Sequence, residues 1–409
     1  MPLINPERLL EALKTLRTFG AVGPGVVRPS FSPADMAARR WLCARMGEAG
    51  LETCIDSVGN VIGRSRNRGK ALLVGSHSDT QPTGGWLDGA LGVIYGLEIV
   101  RAFAEDPSTR GLAVDAVAWI DEEGTYLGCL GSRSFCGVLT QEDIAAATNA
   151  AGQRLSDAMS AAGLMGVPPV RLDPQRYVGY LEAHIEQGPY LEEQGNKIGV
   201  VTSIVGIRGC RIHFRGQQNH AGTTPMPRRQ DAGVALIDFA YTLRQAFQAI
   251  AGPTTVWTIG RVAFSPGAAS IIPGEAEMIL QYRDPDVGRL DQLEQTVQAL
   301  ADTANRAGPV TVTVTPNRAP IKPTVMDASL QQQIAAAAER HASGAWVRMP
   351  SAAGHDPMVL GDYLPCGMLF IPSIGGISHD FAEDSHEADI VLGCQVFADA
   401  AAAILQRGK

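Results

Sequence analysis

Five residues of metal-ligating type stand in short, glycine-rich stretches of this chain: His77, Asp88, Glu123, His184 and His379. The stretches are Gly75-Ser-His77-Ser-Asp79, Trp86-Leu-Asp88-Gly89, Asp121-Glu122-Glu123-Gly124, Glu182-Ala-His184-Ile-Glu186 and Gly376-Ile-Ser378-His379. Hard or borderline divalent cations take imidazole nitrogen and carboxylate oxygen. Two such cations about 3.5–4 Å apart need a shared group between them, often a carboxylate, with terminal ligands on either side. The five residues have the types and the number for that arrangement. They need no cysteine, which suits a catalytic site better than a structural one. Each residue alone is commonplace, because a loop histidine is more often simply hydrogen-bonded and paired acids more often mark a solvated strand end. Their joint occurrence in glycine-rich loops raises the dimetal reading above those plainer ones.

The elements that must position them alternate between helix and strand. A strand at 71–75 precedes His77, a helix spans 89–104, and a strand at 113–120 runs straight into Asp121-Glu122-Glu123. Ser32-Pro33-Ala34-Asp35 reads as a helix start, with helical spacing to residue 49. This order predicts an α/β layered domain with a mostly parallel sheet, in which function gathers at the carboxyl ends of the strands. Residues 209–320 read differently: strand 210–215, helix 231–250, strands 254–264 and 275–283, helix 290–307, strand 310–315. That β-α-β-β-α-β order is ferredoxin-like. A helix at 328–342 and a strand at 367–371 follow. The expectation is a catalytic domain at 1–208 and 321–409, interrupted by a second domain at 209–320.

Composition fits a folded chain of two or three domains. Of 409 residues, 45% are apolar and 19% charged, which excludes a disordered chain. Lys+Arg 34 against Asp+Glu 42 leaves a net charge of −8, with no basic footprint for nucleic acid or an anionic membrane. Seven cysteines without CxxC spacing point away from a disulfide scaffold. Residues 1–20 read as a helix with one apolar face rather than a signal peptide. No window of 18 uninterrupted apolar residues occurs, so a bilayer span is not expected and a cytoplasmic location is.

Six stretches in order, GSHSDTQPTGGWLDGALGV, DEEG, EAHIEQGPYLE, NHAGTTPM, PSAAGHD and PSIGGISHDFAE, run from residue 75 to 383. By these motifs the chain resembles the amidohydrolase branch of the M20 peptidase superfamily: N-carbamoyl-L-amino acid hydrolases, allantoate amidohydrolases and β-ureidopropionases. The resemblance implies a metallopeptidase-like catalytic domain with two divalent ions (zinc, or manganese, cobalt or nickel). His77 and His379 would be terminal ligands, Asp88 the bridge, and Glu123 and His184 would complete the two shells. Glu122 would be the general base and Asp79 the carboxylate that orients His77, although Asp79 also reads as a turn-forming cap. The inserted domain would be a lid and dimerisation element of a homodimer.

For the substrate, the resemblance assigns His220 to the reacting carbonyl, in its own subunit or across the dimer, and Arg283 to a carboxylate. An arginine at an edge strand could equally pair with Asp284 or Asp286. Gln187 would contact the ureido or amide group, with His355 near the same pocket. Relatives usually carry asparagine where Ser270 stands, Pro-Asn where Pro266-Gly267 stands, and Ser-Gly-Ala-Gly in place of Ala352-Ala353-Gly354. A serine is shorter and offers a hydroxyl instead of a bifunctional amide, so Ser270 bears on which acid is bound. His213 reads as structural, His341 as solvated, and His386 with Glu383, Asp384 and Glu387 as an acidic surface turn rather than a stray ligand. Cys129 and Cys136 read as small buried residues. The expected reaction is hydrolysis of a linear amide-type C–N bond in a small ureido or amide substrate with a carboxylate. An N-carbamoyl-L-amino acid comes first, then allantoate, then an N-acyl amino acid or dipeptide. An inert binding or dimerisation relative would have lost ligands or base, and none is missing.

Overall fold

A computed structural model of the chain describes residues 2–317 and 319–407. Two compact units emerge, one of residues 1–202 with 325–409, the other of residues 203–324. These bounds lie a few residues from those expected at 208/209 and 320/321.

In the larger unit the strands Ala71–His77 and Ala113–Trp119 are buried along their whole length. Strands covered on both faces carry unbroken apolar runs rather than alternation, as Ala71-Leu-Leu-Val74 does. With Tyr177–Ile185 and Cys366–Ile371 they form the parallel centre of a nine-stranded sheet. The flanks are antiparallel: Val61–Arg64 and Glu52–Ile55 on one side, Ile198–Ile204 on the other. The sheet is therefore mixed. Because the four central strands run the same way, their carboxyl ends share one edge. His77 ends one strand, Asp121 follows another, His184 nearly ends the third, and the loop to His379 follows the fourth.

Helix Ala90–Glu105 packs on three of those strands and is buried almost end to end. Helix Pro6–Thr18 places Leu9, Leu13 and Leu16 in the same core, each fully buried side chain contributing about 1.5–3 kcal/mol. The C-terminal helix Glu387–Arg407 is long and apolar enough to cross a bilayer by length and composition. Ile390, Val396, Phe397 and Leu405 are instead buried in the core, so it is a core helix.

Helix Pro33–Glu48 starts where Ser32 Oγ accepts from the Asp35 N–H and proline occupies the first turn. Its Arg39 is wholly buried. Nε meets Asp35 Oδ1 at 2.9 Å, and Nη1 donates to the carbonyls of Gly59, Ala118 and Trp119 at 3.1–3.2 Å. One guanidinium thus ties the helix to the end of the strand that leads into Glu122 and Glu123.

The smaller unit is a four-stranded antiparallel sheet of Gly206–Arg215, Val256–Ser265, Glu275–Asp284 and Thr311–Pro316. In chain order its strands lie 2-3-1-4, the ferredoxin-like arrangement. Helices Ala232–Ile250 and Val287–Ala307 bring Leu236, Phe239, Leu243, Leu293 and Val297 into its core. Each is capped by an aspartate, Asp231 and Asp286.

Candidate metal centre

Asp88 is the meeting point. Its Oδ1 lies 3.0 Å from His184 Nε2 and 3.5 Å from His77 Nε2, and its Oδ2 lies 3.2 Å from His379 Nε2. Glu123 Oε1 lies 3.6 Å from the same His379 nitrogen. Among the described residues, two groups of ligand atoms within 4.8 Å of one another contain Asp88: His77, Asp88 and His184, and Asp88, Glu123 and His379; Glu182, His184 and His355 form a third beside them. All five expected ligands are brought together, and Asp88 alone belongs to both groups.

The donor set fits divalent cations on three observations. His77 Nδ1 meets the Asp79 carbonyl at 3.0 Å and His184 Nδ1 the Ile185 carbonyl at 2.9 Å. A carbonyl can only accept, so each Nδ1 carries a hydrogen and Nε2 is the nitrogen that faces Asp88, the one left to ligate a metal once its own proton is displaced. The Gly89 N–H donating to His184 Nε2 at 3.1 Å agrees. Thirdly, Glu123 Oε2 accepts from Gln81 Nε2 at 2.7 Å, while its buried Oε1 has no hydrogen-bond partner among the described residues and faces the cluster.

Groups packed so closely trade protons. Burial pushes Glu123 up to about 8, with Asp88 adding to the rise. His379 rises to about 9, chiefly through Asp88. Burial opposes charge on His77, but contacts with Asp88, Glu122 and Asp79 outweigh it and raise the imidazole well above its ordinary range. Burial opposes ionisation of Asp88 too, yet the three imidazoles hold it well below the usual carboxylate range.

Glu122 sits beside the ligands without joining either group, its Oε2 3.8 Å from His77 Nε2. Burial pushes its carboxyl well above the ordinary value against the pull of His77. The loop that presents it depends on Asp121, which takes φ +57° and accepts the Tyr126 and Leu127 N–H groups on Oδ2. Gln187 and His379 also hold positive φ, 59° and 55°. Three non-glycine residues in this costly conformation border one cluster, a known accompaniment of functional sites. Gln187 Nε2 reaches Ser378 Oγ at 3.1 Å, His379 Nε2 at 3.2 Å and Asp88 Oδ2 at 3.3 Å.

Several expectations need correcting. The Asp79 atom that orients His77 is its backbone carbonyl; the carboxylate stands 3.8 Å from Nδ1 and instead accepts the Glu123 N–H at 3.3 Å. The two-residue spacing leaves the side chain turned towards the next loop. His355 is only 1% exposed, its ring edge-on to His184 at 4.5 Å and its Nε2 2.9 Å from Ser351 Oγ. It lies against a ligand candidate, with a Glu182 oxygen also within 4.8 Å, and nothing in its placement contradicts the expected position near the substrate pocket. His341 is not free in solvent but meets the buried Asp399 at 2.7 Å. Cys129 and Cys136 are partly rather than fully buried. Glu383 is no surface acid: it is 1% exposed and accepts the Leu87 and Asp88 N–H groups. Sequence reading missed it because only the fold joins it to Asp88; the one available signal was its place in the acid-rich stretch after His379.

His220, Ser270 and Arg283 belong to the smaller unit. His220 pairs with Ile271 in a short antiparallel bridge, and the Ala221 N–H donates to the Ser270 carbonyl at 2.9 Å. His220 Nδ1 accepts the N–H groups of Gly222 and Thr223 at 3.0 and 3.2 Å, which leaves the ring hydrogen on Nε2. Arg283 donates from Nε and Nη2 to Gln281 Oε1 at 3.1 and 3.0 Å. Asp284 is engaged by Arg289 and Thr255.

Residues 73–403 match the family described as Peptidase family M20/M25/M40. The chain is 33% identical to an N-carbamoyl-L-amino-acid amidohydrolase of Paenarthrobacter aurescens, over 95% of this chain and 96% of the relative. It is 32% identical to an allantoate amidohydrolase of Escherichia coli, over 96% of each. A crystal structure of an amidase of the hydantoinase/carbamoylase family from Burkholderia phymatum superposes with a TM-score of 0.95 at 52% identity, covering 100% of both chains. The chain belongs to peptidase family M20/M25/M40, as one of its hydantoinase/carbamoylase-type amidohydrolases.

Proposed function

We propose that the chain hydrolyses an N-carbamoyl-L-amino acid to the L-amino acid, ammonia and carbon dioxide. The observation that carries this reading is Asp88 standing between two ligand groups with Glu122 beside them and outside both. Two divalent cations, held by His77, Asp88 and His184 and by Asp88, Glu123 and His379, would supply Lewis acidity to the carbonyl and to the attacking water. Glu122 takes the proton that the water gives up as it attacks the carbonyl carbon, and returns it to the amino acid's nitrogen as the C–N bond breaks; the carbamic acid so released decomposes to ammonia and carbon dioxide. Gln187, whose Nε2 lies 3.1–3.3 Å from Ser378, His379 and Asp88, borders the centre, which supports a contact between its amide and the ureido group. His220, in the smaller unit, carries its ring hydrogen on Nε2, a donor of the kind that stabilises charge developing on a carbonyl oxygen, in keeping with the role the resemblance gives it. Arg283 adds a planar fork suited to a carboxylate, and Ser270 lies in the same loop region as His220.

The near-equal identity to an allantoate amidohydrolase supports a second reading within the same chemistry, with allantoate as substrate. The smaller unit also exposes Val234, Ile237 and Tyr241 on one helix and Val256 and Val262 on its edge strand, which supports a homodimer through this unit. Assays of N-carbamoyl-L-amino acids, allantoate and N-acyl amino acids side by side test the substrate. Substrate consumption is expected to be fastest with an N-carbamoyl-L-amino acid; preference for either other class overturns the assignment. Glu122→Gln is expected to keep metal binding and lose turnover by at least about a hundredfold; near-normal turnover removes Glu122 as the base.

A further inference from the structure

Glu383 joins two segments of the larger unit that are almost 300 positions apart in sequence. Its Oε1 accepts the Leu87 N–H at 3.2 Å and the Asp88 N–H at 3.0 Å. Its Oε2 accepts the Ser378 hydroxyl at 2.8 Å. Ser378 Oγ in turn accepts from Gln187 Nε2, which also reaches Asp88 Oδ2 and His379 Nε2. A single buried side chain therefore holds the backbone of Asp88 and the turn that presents His379.

The surroundings are built for a carboxylate at this point. Gly85 leaves the space: a Cβ there would fall 2.0 Å from Glu383 Oε1 and 2.4 Å from its Cβ. Three donors converge on two oxygens, and only a carboxylate accepts from all three. A glutamine would keep one oxygen for the backbone N–H groups but turn an NH2 towards a hydroxyl that now donates. It would also remove a negative charge beside a cation site. Neighbouring Asp384 fixes the turn from the other side, accepting Trp86 Nε1–H at 3.2 Å and the Ile374 N–H at 2.9 Å.

We propose that Glu383 is a positioning residue of the metal centre, setting the distance between Asp88 and His379 by clamping the 85–88 loop to the 378–383 turn. The proposal rests on the reading of Asp88 and His379 as metal ligands. Outer partners of this kind typically change metal affinity by 10–100-fold when lost.

Calorimetric titration of the full metal-free chain with Mn2+, beside its thermal unfolding, tests it. Glu383→Gln and Gly85→Ala are each expected to weaken Mn2+ binding about tenfold or more, with the unfolding temperature of the metal-free protein little changed. Wild-type affinity in Glu383→Gln overturns the proposal. So does a fall in unfolding temperature with unchanged affinity in the folded protein, since that is a merely structural role. Should Glu383→Gln fail to fold, Ser378→Ala carries the same test, weaker Mn2+ binding supporting the clamp and unchanged binding overturning it. Asp88→Asn separates the two levels: if it binds Mn2+ as well as wild type, the ligand reading itself fails and the clamp falls with it.

Discussion

Gly89 lies so close to His77 that a Cβ on it would fall 2.4 Å from the imidazole ring. Its φ of +65° with ψ −46° adds a second reason for glycine, since a residue with a side chain is strained there. Gly89→Ala is therefore expected to push His77 off Asp88 and to lower both metal content and turnover. Metal analysis of the purified variant checks this; full metal occupancy with normal turnover would show that His77 needs no such room.

Arg39 and Asp35 are both fully buried, and Arg39 also serves three strand-end carbonyls. Arg39→Met leaves Asp35 and those carbonyls without their donor, an expected loss of about 3–5 kcal/mol. Tryptophan fluorescence in denaturant suits the measurement, because Trp41, Trp86, Trp119 and Trp346 all lie in the larger unit. A loss below about 1 kcal/mol, the scale of an exposed pair, would contradict a buried clamp.

Metal binding should release protons. Ligands must be deprotonated to bind, whereas Glu123 is pushed to about 8 by burial and His379 to about 9 by Asp88. At neutral pH both groups hold a proton that a cation must displace. Both folded values lie above the ordinary ones, so raising the pH removes that competition and apparent affinity rises between about pH 6 and 9. Calorimetry in buffers of different ionisation heat reads the released protons directly. Affinity independent of pH over that interval would rule out displacement at these two groups.

Much of this architecture is legible in the residues themselves. Ala71-Leu-Leu-Val74 and the strand before Asp121 betray themselves by apolar runs that stop at polar loops, and the ligand candidates follow those stops. The smaller unit shows its β-α-β-β-α-β order through alternation such as Ala276, Met278, Leu280 and Tyr282, all buried on one sheet face. Contacts between distant segments are what periodicity cannot show. Glu383 looks like one more acid in a polar turn until the fold sets it against Leu87 and Asp88. Asp79 has the right spacing to orient His77, but backbone geometry, which no residue type announces, hands that task to its carbonyl. The antiparallel flank of the sheet is equally silent, because Glu52–Ile55 and Val61–Arg64 are too short for a clear period.

Anomalous diffraction from crystals grown with Mn2+ tests the dimetal arrangement most directly. Two peaks about 3.5–4 Å apart are expected, with the Asp88 carboxylate between them. His77 and His184 should touch one peak, and Glu123 and His379 the other. A single peak away from Asp88, or two peaks with any of these five side chains turned aside, would contradict it.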